Sequence, residues 1–254
     1  MQTYTLQEIR GYSSQMTEYL SSVQDFMNTV NLGNRTPDEW VILSLADWMN
    51  SQTPIMWVLV NGPTLEYPGP ASAIAARVIQ SSVELQIPMP TLAFFCRWPY
   101  DYDTDIIQGQ KECLVDLVYN ILRQLLEWLP GQFATTLDLS ESRFSELGGS
   151  FGSLPKALDL LADVLTMAPP RLLIVIDGMD HLDSTHVEKE VNQFFSVLMD
   201  GVLLARSREM VFKLFFTTTN DFVSLTRIGL ADDNWLRKLE ITQECGNRQS
   251  TYYV

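Results

Sequence analysis

Largely apolar runs of strand length recur along this chain, and between them apolar residues return every three or four positions. The runs are Ile55-Met-Trp-Val-Leu-Val60, Thr91-Leu-Ala-Phe-Phe-Cys96, Leu172 to Ile176, and Met210-Val-Phe-Lys-Leu-Phe-Phe216, with a weaker one from Leu236 to Ile241. Runs of this kind suit parallel strands covered on both faces. A helix is predicted from Ala71 or Ser72 to about Leu85, with Ile74, Ala75, Val78, Ile79, Ser82 and Val83 inward. Others run from Gly109 to Leu129, from a Ser153 cap through Leu165, from Val187 to Val202, and near Phe222 to Ile228. Thr36-Pro-Asp-Glu39 reads as a capped helix start that carries Trp40, Leu43, Leu45, Ala46 and Trp48 toward a core. Leu6 to Val30 predicts one or two amphipathic helices, and the Ser- and Gly-rich stretch from Gln132 to Gly152 a mobile insertion.

This alternation predicts an α/β protein with a doubly wound, mostly parallel five-stranded sheet flanked by helices, and N-terminal helices beside it. The expected division is a helical segment over 1–35, the α/β domain over 36–243, and a polar tail over 244–254. The chain of 254 residues is long enough for such a core.

Charge and cysteines narrow the function. A formal net charge of −14 makes nucleic acid and anionic membranes poor partners. No apolar run approaches the ~20 residues of a membrane span, and Met1-Gln-Thr-Tyr-Thr-Leu-Gln-Glu8 does not read as a secretory signal. Cys96, Cys113 and Cys245 are odd in number and far apart, which suggests free thiols in a reducing, cytoplasmic setting. The chain has no Gly-x-Ser-x-Gly elbow and only two histidines, His181 and His186, against an α/β-hydrolase reading. Asp101, Asp103 and Asp105 lack the glycine and distal Glu of a calcium loop. Cys96 reads as core packing.

The chemistry gathers at strand ends. Arg171-Leu-Leu-Ile-Val-Ile-Asp-Gly-Met-Asp-His-Leu-Asp183 is an apolar strand that delivers carboxylates to its carboxyl end, where open α/β sheets hold ligands. Trp57-Val-Leu-Val-Asn-Gly-Pro63 resembles the strand entering the Walker A loop of fungal NACHT-type domains, part of the STAND class of signalling ATPases. Ile174-Val-Ile-Asp-Gly-Met-Asp180 resembles their Walker B motif, and Lys213-Leu-Phe-Phe-Thr-Thr-Thr219 their sensor strand. The resemblance spans roughly residues 36 to 241 and implies a five-stranded sheet with one strand between the two Walker strands. It implies a nucleotide site at Gly62, Gly69, Ser72, Asp177, Asp180 and Thr218, with Asp177 toward Mg²⁺ when MgATP or MgADP is bound.

The departures from that pattern point the other way. A working loop is Gly-x4-Gly-Lys-Ser/Thr, whose backbone N–H groups and lysine hold the phosphates. With Ser72 in the hydroxyl position, Ala71 stands for the lysine, Pro70 for the second glycine and Leu65 for the first. Gly62 as first glycine would need a three-residue insertion, Glu66 adds a negative charge, and no lysine precedes Lys111. His181 follows Asp180 where many relatives carry a catalytic acid. The expectation is therefore a domain without a catalytic residue or resident cofactor, working through a protein partner or self-association. The alternative is a nucleotide-binding switch with weak or no hydrolysis. The chain ends near its fifth strand, so it reads as an isolated core of such a protein. On the residues alone, Ser72 reads as a helix cap, and Asp180 and Asp183 as caps of a helix beginning near Ser184.

Overall fold

The structure is a computed structural model that describes residues 1–19, 37–62, 68–85, 88–96, 105–231 and 234–242. Its strands in chain order are β1 (Gln2–Thr5), β2 (Ile55–Asn61), β3 (Thr91–Phe95), β4 (Gln132–Thr135), β5 (Arg171–Asp177), β6 (Val211–Thr218) and β7 (Leu236–Thr242). The chain forms two compact units, each assembled from separated stretches of sequence.

The sheet belongs to the unit made of Ser22–Arg97, Leu172–Asp183 and Phe212–Val254. Five parallel strands lie in the order β3-β5-β6-β2-β7, a P-loop-like doubly wound arrangement. One strand, β6, separates β2 from β5, as the resemblance implied. Side chains alternate between faces along a strand. Met56, Val58, Val60, Ala93, Phe95, Leu173, Val175 and Phe215 form one core with helices Glu39–Asn50 and Pro70–Glu84. The opposite parity, including Trp57, Leu92, Phe94, Ile174, Ile176, Leu214 and Phe216, is equally buried. That two-sided burial explains why these strands read as continuous apolar runs. β7 is an edge strand, and its half-buried pattern matches its weaker signal.

Helix boundaries depart from the sequence reading. Helix 39–50 begins after Asp38, whose carbonyl accepts from the amides of Val41 and Ile42. Thr36 lies outside the described residues. Val41, Leu45 and Trp48 face inward, and Leu43 is 62% exposed. Of the expected inward set, Leu45 and Trp48 are buried and Trp40 packs partly buried against the core, while Leu43 and Ala46 are exposed and Val41 faces inward. Helix 70–84 starts at Pro70 with Gly69 as its N-cap, so Ser72 is inside the helix rather than its cap. Proline at the first helical position gives up an N–H that has no intrahelical partner there. Val83, expected inward, is exposed.

The second unit is Met1–Ser21, Trp98–Arg171 and Ser184–Val211. Its long helices are Ile106–Leu126, Leu154–Leu165 and Glu188–Ser207. The 154–165 helix packs against both of the others. The stretch from Gln132 to Gly152 is not a loose insertion. β4 pairs antiparallel with β1, Glu141–Ser145 is a short helix, and Leu139, Phe144 and Leu147 are buried. The N-terminus is correspondingly a strand, a short helix Leu6–Tyr12 and a 3₁₀ turn Ser14–Tyr19, where one or two amphipathic helices were expected. The predicted continuation to Val30 lies outside the described residues.

Gly149 shows how closely this stretch is fitted. Its φ is +62°, and an added Cβ would stand 2.0 Å from Tyr19 Oη. Tyr19 Oη donates to Gly149 O at 3.2 Å, and Gly149 N donates to Tyr119 Oη at 3.3 Å. Gly149→Ala is expected to cost about 1–2 kcal/mol through the left-handed backbone alone. An unchanged urea midpoint would contradict the packing described.

Candidate functional site

The site is built by strand parity. Asp177 follows Leu173 and Val175 on the sheet face covered by helix 70–84, and Thr217 follows Lys213 and Phe215 onto that same face. Ser72 therefore meets Asp177 from the helix, and Thr217 meets it from the neighbouring strand. Ser72 Oγ donates to Asp177 Oδ2 at 2.6 Å, and Thr217 Oγ1 donates to Asp177 Oδ1. Ser72 is 4% exposed, Asp177 2% and Thr217 0%. The Asp177 carboxyl is pushed up to about 6, chiefly by burial with a contribution from Asp180, against the opposing pull of the Ser72 and Thr217 hydroxyls and His181.

Asp180 is held by the end of β6 instead of capping a helix. Its Oδ2 accepts from Thr219 N at 3.2 Å, Thr219 Oγ1 at 2.7 Å, Asn220 N at 3.1 Å and Asn220 Nδ2 at 3.1 Å. Its Oδ1 is buried without a hydrogen-bond partner. The residues around it form a 3₁₀ turn, Met179–Leu182, and the long helix begins only at Glu188, so Asp183 does not cap it at Ser184. The turn starts on Gly178, whose φ of +78° is left-handed. A Cβ there would lie 3.1 Å from His181 Cδ2 and 3.2 Å from Cys96 O. Both the backbone conformation and the close approach of β3 call for glycine.

Of the residues expected to form the site, Ser72 and Asp177 come together, and Asp180 stands one turn beyond. Thr218 does not join them. It points to the other sheet face, where its Oγ1 accepts from Trp57 Nε1 at 2.8 Å. Thr217 takes its place, and parity with Phe215 was the signal that could have found it. Gly69 is buried as the N-cap of helix 70–84, and Gly62 follows the end of β2 with a φ of +152°. Residues 63–67, including Glu66, lie outside the described residues. Ala71, in the lysine position, is 4% exposed and part of the core. Cys96 is buried at 1%, as core packing would have it.

Each Asp177 oxygen accepts one hydrogen bond from the chain's own hydroxyls and keeps a lone pair, and Mg²⁺, which keeps several waters among its six oxygens, would take Asp177 as its carboxylate if MgATP or MgADP were bound. Among the described residues no three or more His, Cys, Asp or Glu side chains gather as metal ligands. None of the described helices is long and apolar enough to cross a membrane. Comparison with protein families, with curated proteins and with solved structures gives no match.

Proposed function

We propose that the chain is a non-catalytic, NACHT-like P-loop-type domain that serves as a protein-interaction or signalling scaffold. The observation that carries this reading is the state of Asp177: buried, with each carboxyl oxygen satisfied by Ser72 or Thr217. Phosphoryl transfer works mainly by positioning and electrostatic stabilisation of the transferred group. Here the lysine position is a core alanine and the metal-side carboxylate is engaged internally. The nucleotide-switch reading keeps one observation of its own, the buried Asp180 Oδ1 that no donor satisfies.

Thermal unfolding with MgATP and MgADP tests the choice. A ligand at a hundredfold excess over its Kd adds ~2.7 kcal/mol of stability. No change in Tm is expected at millimolar nucleotide. A rise in Tm that Asp177→Ala abolishes would overturn the scaffold reading.

A further inference from the structure

Resting on that reading, we propose that the partner of this scaffold is a second copy of the chain, joined β7 to β7, antiparallel, across a twofold axis. Among the described residues β7 pairs with β2 alone, and the other edge strand, β3, carries buried side chains from Leu92 to Phe95. β7 runs for seven residues without proline, all of them half-buried or exposed. Its backbone fixes which residues can pair. Ile55 N donates to Trp235 O at 3.1 Å, and the parallel register continues from Ile55 opposite Leu236 to Asn61 opposite Thr242. Alternate residues of such a ladder turn N–H and C=O to the same neighbour. Arg237, Leu239 and Ile241 therefore turn theirs toward β2, and Leu236, Lys238, Glu240 and Thr242 turn theirs to the outer edge.

The charges then select a register. Setting Lys238 opposite Lys238, or Glu240 opposite Glu240, brings like charges together, which destabilises. Centring the axis on Leu239 sets Lys238 of each copy opposite Glu240 of the other, and Leu236 opposite Thr242, with both backbone hydrogen bonds exchanged in each pair. Lysine on an edge ordinarily guards it; here the strand carries the complement two residues on. Apolar side chains flank the edge on both faces. On the face of Leu239 and Ile241, Arg237 Nη1 reaches Asp47 Oδ2 and so holds helix 39–50 alongside. One turn back from Asp47 stands Leu43, 62% exposed, with Ile42 and Ala46 exposed beside it. On the face of Lys238, Gly229 of helix Val223–Ala231 lies against Leu236, and the next residue, Leu230, is 82% exposed. A second copy on this edge draws these side chains out of water, the main driving force of association.

Sedimentation equilibrium of the whole chain tests this interface, in about 0.15 M salt to screen the net charge of −14. A dimer is expected. Glu240→Lys sets like charges opposite at both pairs and should weaken it by about tenfold or more. Adding Lys238→Glu to that variant restores opposite charges in the same register and should bring dimerisation back to within about threefold of wild type. Glu240→Pro removes an N–H that β2 does not use, and should abolish the dimer while the sheet still unfolds cooperatively in urea. The proposal is overturned by a chain that is monomeric at about 100 μM, by a dimer that survives Glu240→Lys or Glu240→Pro, or by a folded double variant no tighter than Glu240→Lys. MgATP separates this from the reading beneath it. A rise in Tm with the dimer unchanged overturns the ligand-free scaffold and leaves the interface standing. A monomer overturns the interface alone and leaves the scaffold to a different protein.

Discussion

Lys213→Met is expected to lower the stability of the sheet unit by about 3 kcal/mol, one of the two largest effects in the chain. Lys213 lies in the middle of β6 and is 4% exposed. Its ammonium donates to the carbonyls of Trp48 at 2.9 Å, Ser51 at 2.8 Å and Thr53 at 2.8 Å, and stands 5.2 Å from the centre of the Trp48 ring. It thereby caps the carboxyl end of helix 39–50 and the turn into β2, where a cation also meets the negative end of the helix dipole. Two effects oppose each other. Burial disfavours the charge and lowers the lysine to about 8, which argues for an apolar replacement. Yet an apolar side chain of similar length removes only one side of three hydrogen bonds. The carbonyls cannot be removed with it: that of Trp48 keeps Ser51 N and Oγ as donors, while those of Ser51 and Thr53 lose this donor, and a buried carbonyl left without one costs about 1–3 kcal/mol. The second effect should win. The sign of the pH dependence follows from the lowered value. Between about 8 and 10.5 the unfolded chain holds a proton that the folded one has shed, so this lysine adds stability as pH rises. The gap between wild type and Lys213→Met should therefore widen from pH 8 to 10 in urea titrations. A gap under about 1 kcal/mol at pH 7, or one that narrows above pH 8, would contradict the argument.

Lys213 also shows where the sequence was legible and where it was not. The four buried strands were readable because apolar residues on both faces leave an unbroken run. Their order in the sheet, β3-β5-β6-β2-β7, was not read from the sequence. A lysine inside Val-Phe-Lys-Leu-Phe did not disturb the strand reading, but nothing local told of the three carbonyls waiting 160 to 165 residues away in sequence. β1 and β4 were missed for a related reason. Four-residue strands such as Gln132-Phe-Ala-Thr135 carry almost no periodic signal, and each exists because the other supplies its backbone partners. The start of helix 39–50 moved because Thr-Pro-Asp offers two plausible caps, and only the buried set Val41, Leu45 and Trp48 decides between them.

At the site, the residue types were legible and the pairing was not. Ser72, Asp177 and Asp180 were found from motif spacing, whereas Thr217 and Thr218 are chemically identical neighbours. Only the sheet face separates them: one touches Asp177 and the other Trp57. That residue 71 is an alanine was plain from the sequence. The partner of Ser72 was not, because a hydroxyl two residues into a helix is an ordinary feature until its partner is placed.

Asp177→Asn is expected to stabilise the protein at pH 7.5, by as much as about 3 kcal/mol. Most substitutions of a buried, hydrogen-bonded acid destabilise, so the direction is informative. Raising a carboxyl from 3.8 to about 6 means that the folded protein holds a proton the unfolded chain has lost across that window. Stability from this group is present below about pH 4, falls as pH rises toward 6, and is gone above it. An amide avoids the buried charge and keeps the geometry. Its oxygen accepts from Ser72 Oγ as Oδ2 does now, and its nitrogen donates to Thr217 Oγ1, which then turns its own hydrogen away; the hydrogens so freed offset part of the gain, which makes about 3 kcal/mol the upper bound. Wild type should lose stability from pH 4 to pH 6.5 relative to Asp177→Asn, measured by urea unfolding across that range. Asp177→Ala lacks both bonds and should instead destabilise at every pH. The same pair of proteins separates the two functions. If the carboxylate serves nucleotide, wild type in millimolar MgATP should become the more stable of the two, because only it would bind. If it serves the fold, Asp177→Asn stays ahead with or without nucleotide. A buried acid whose amide is the better residue for folding, and which gains nothing from MgATP, would count against the nucleotide switch.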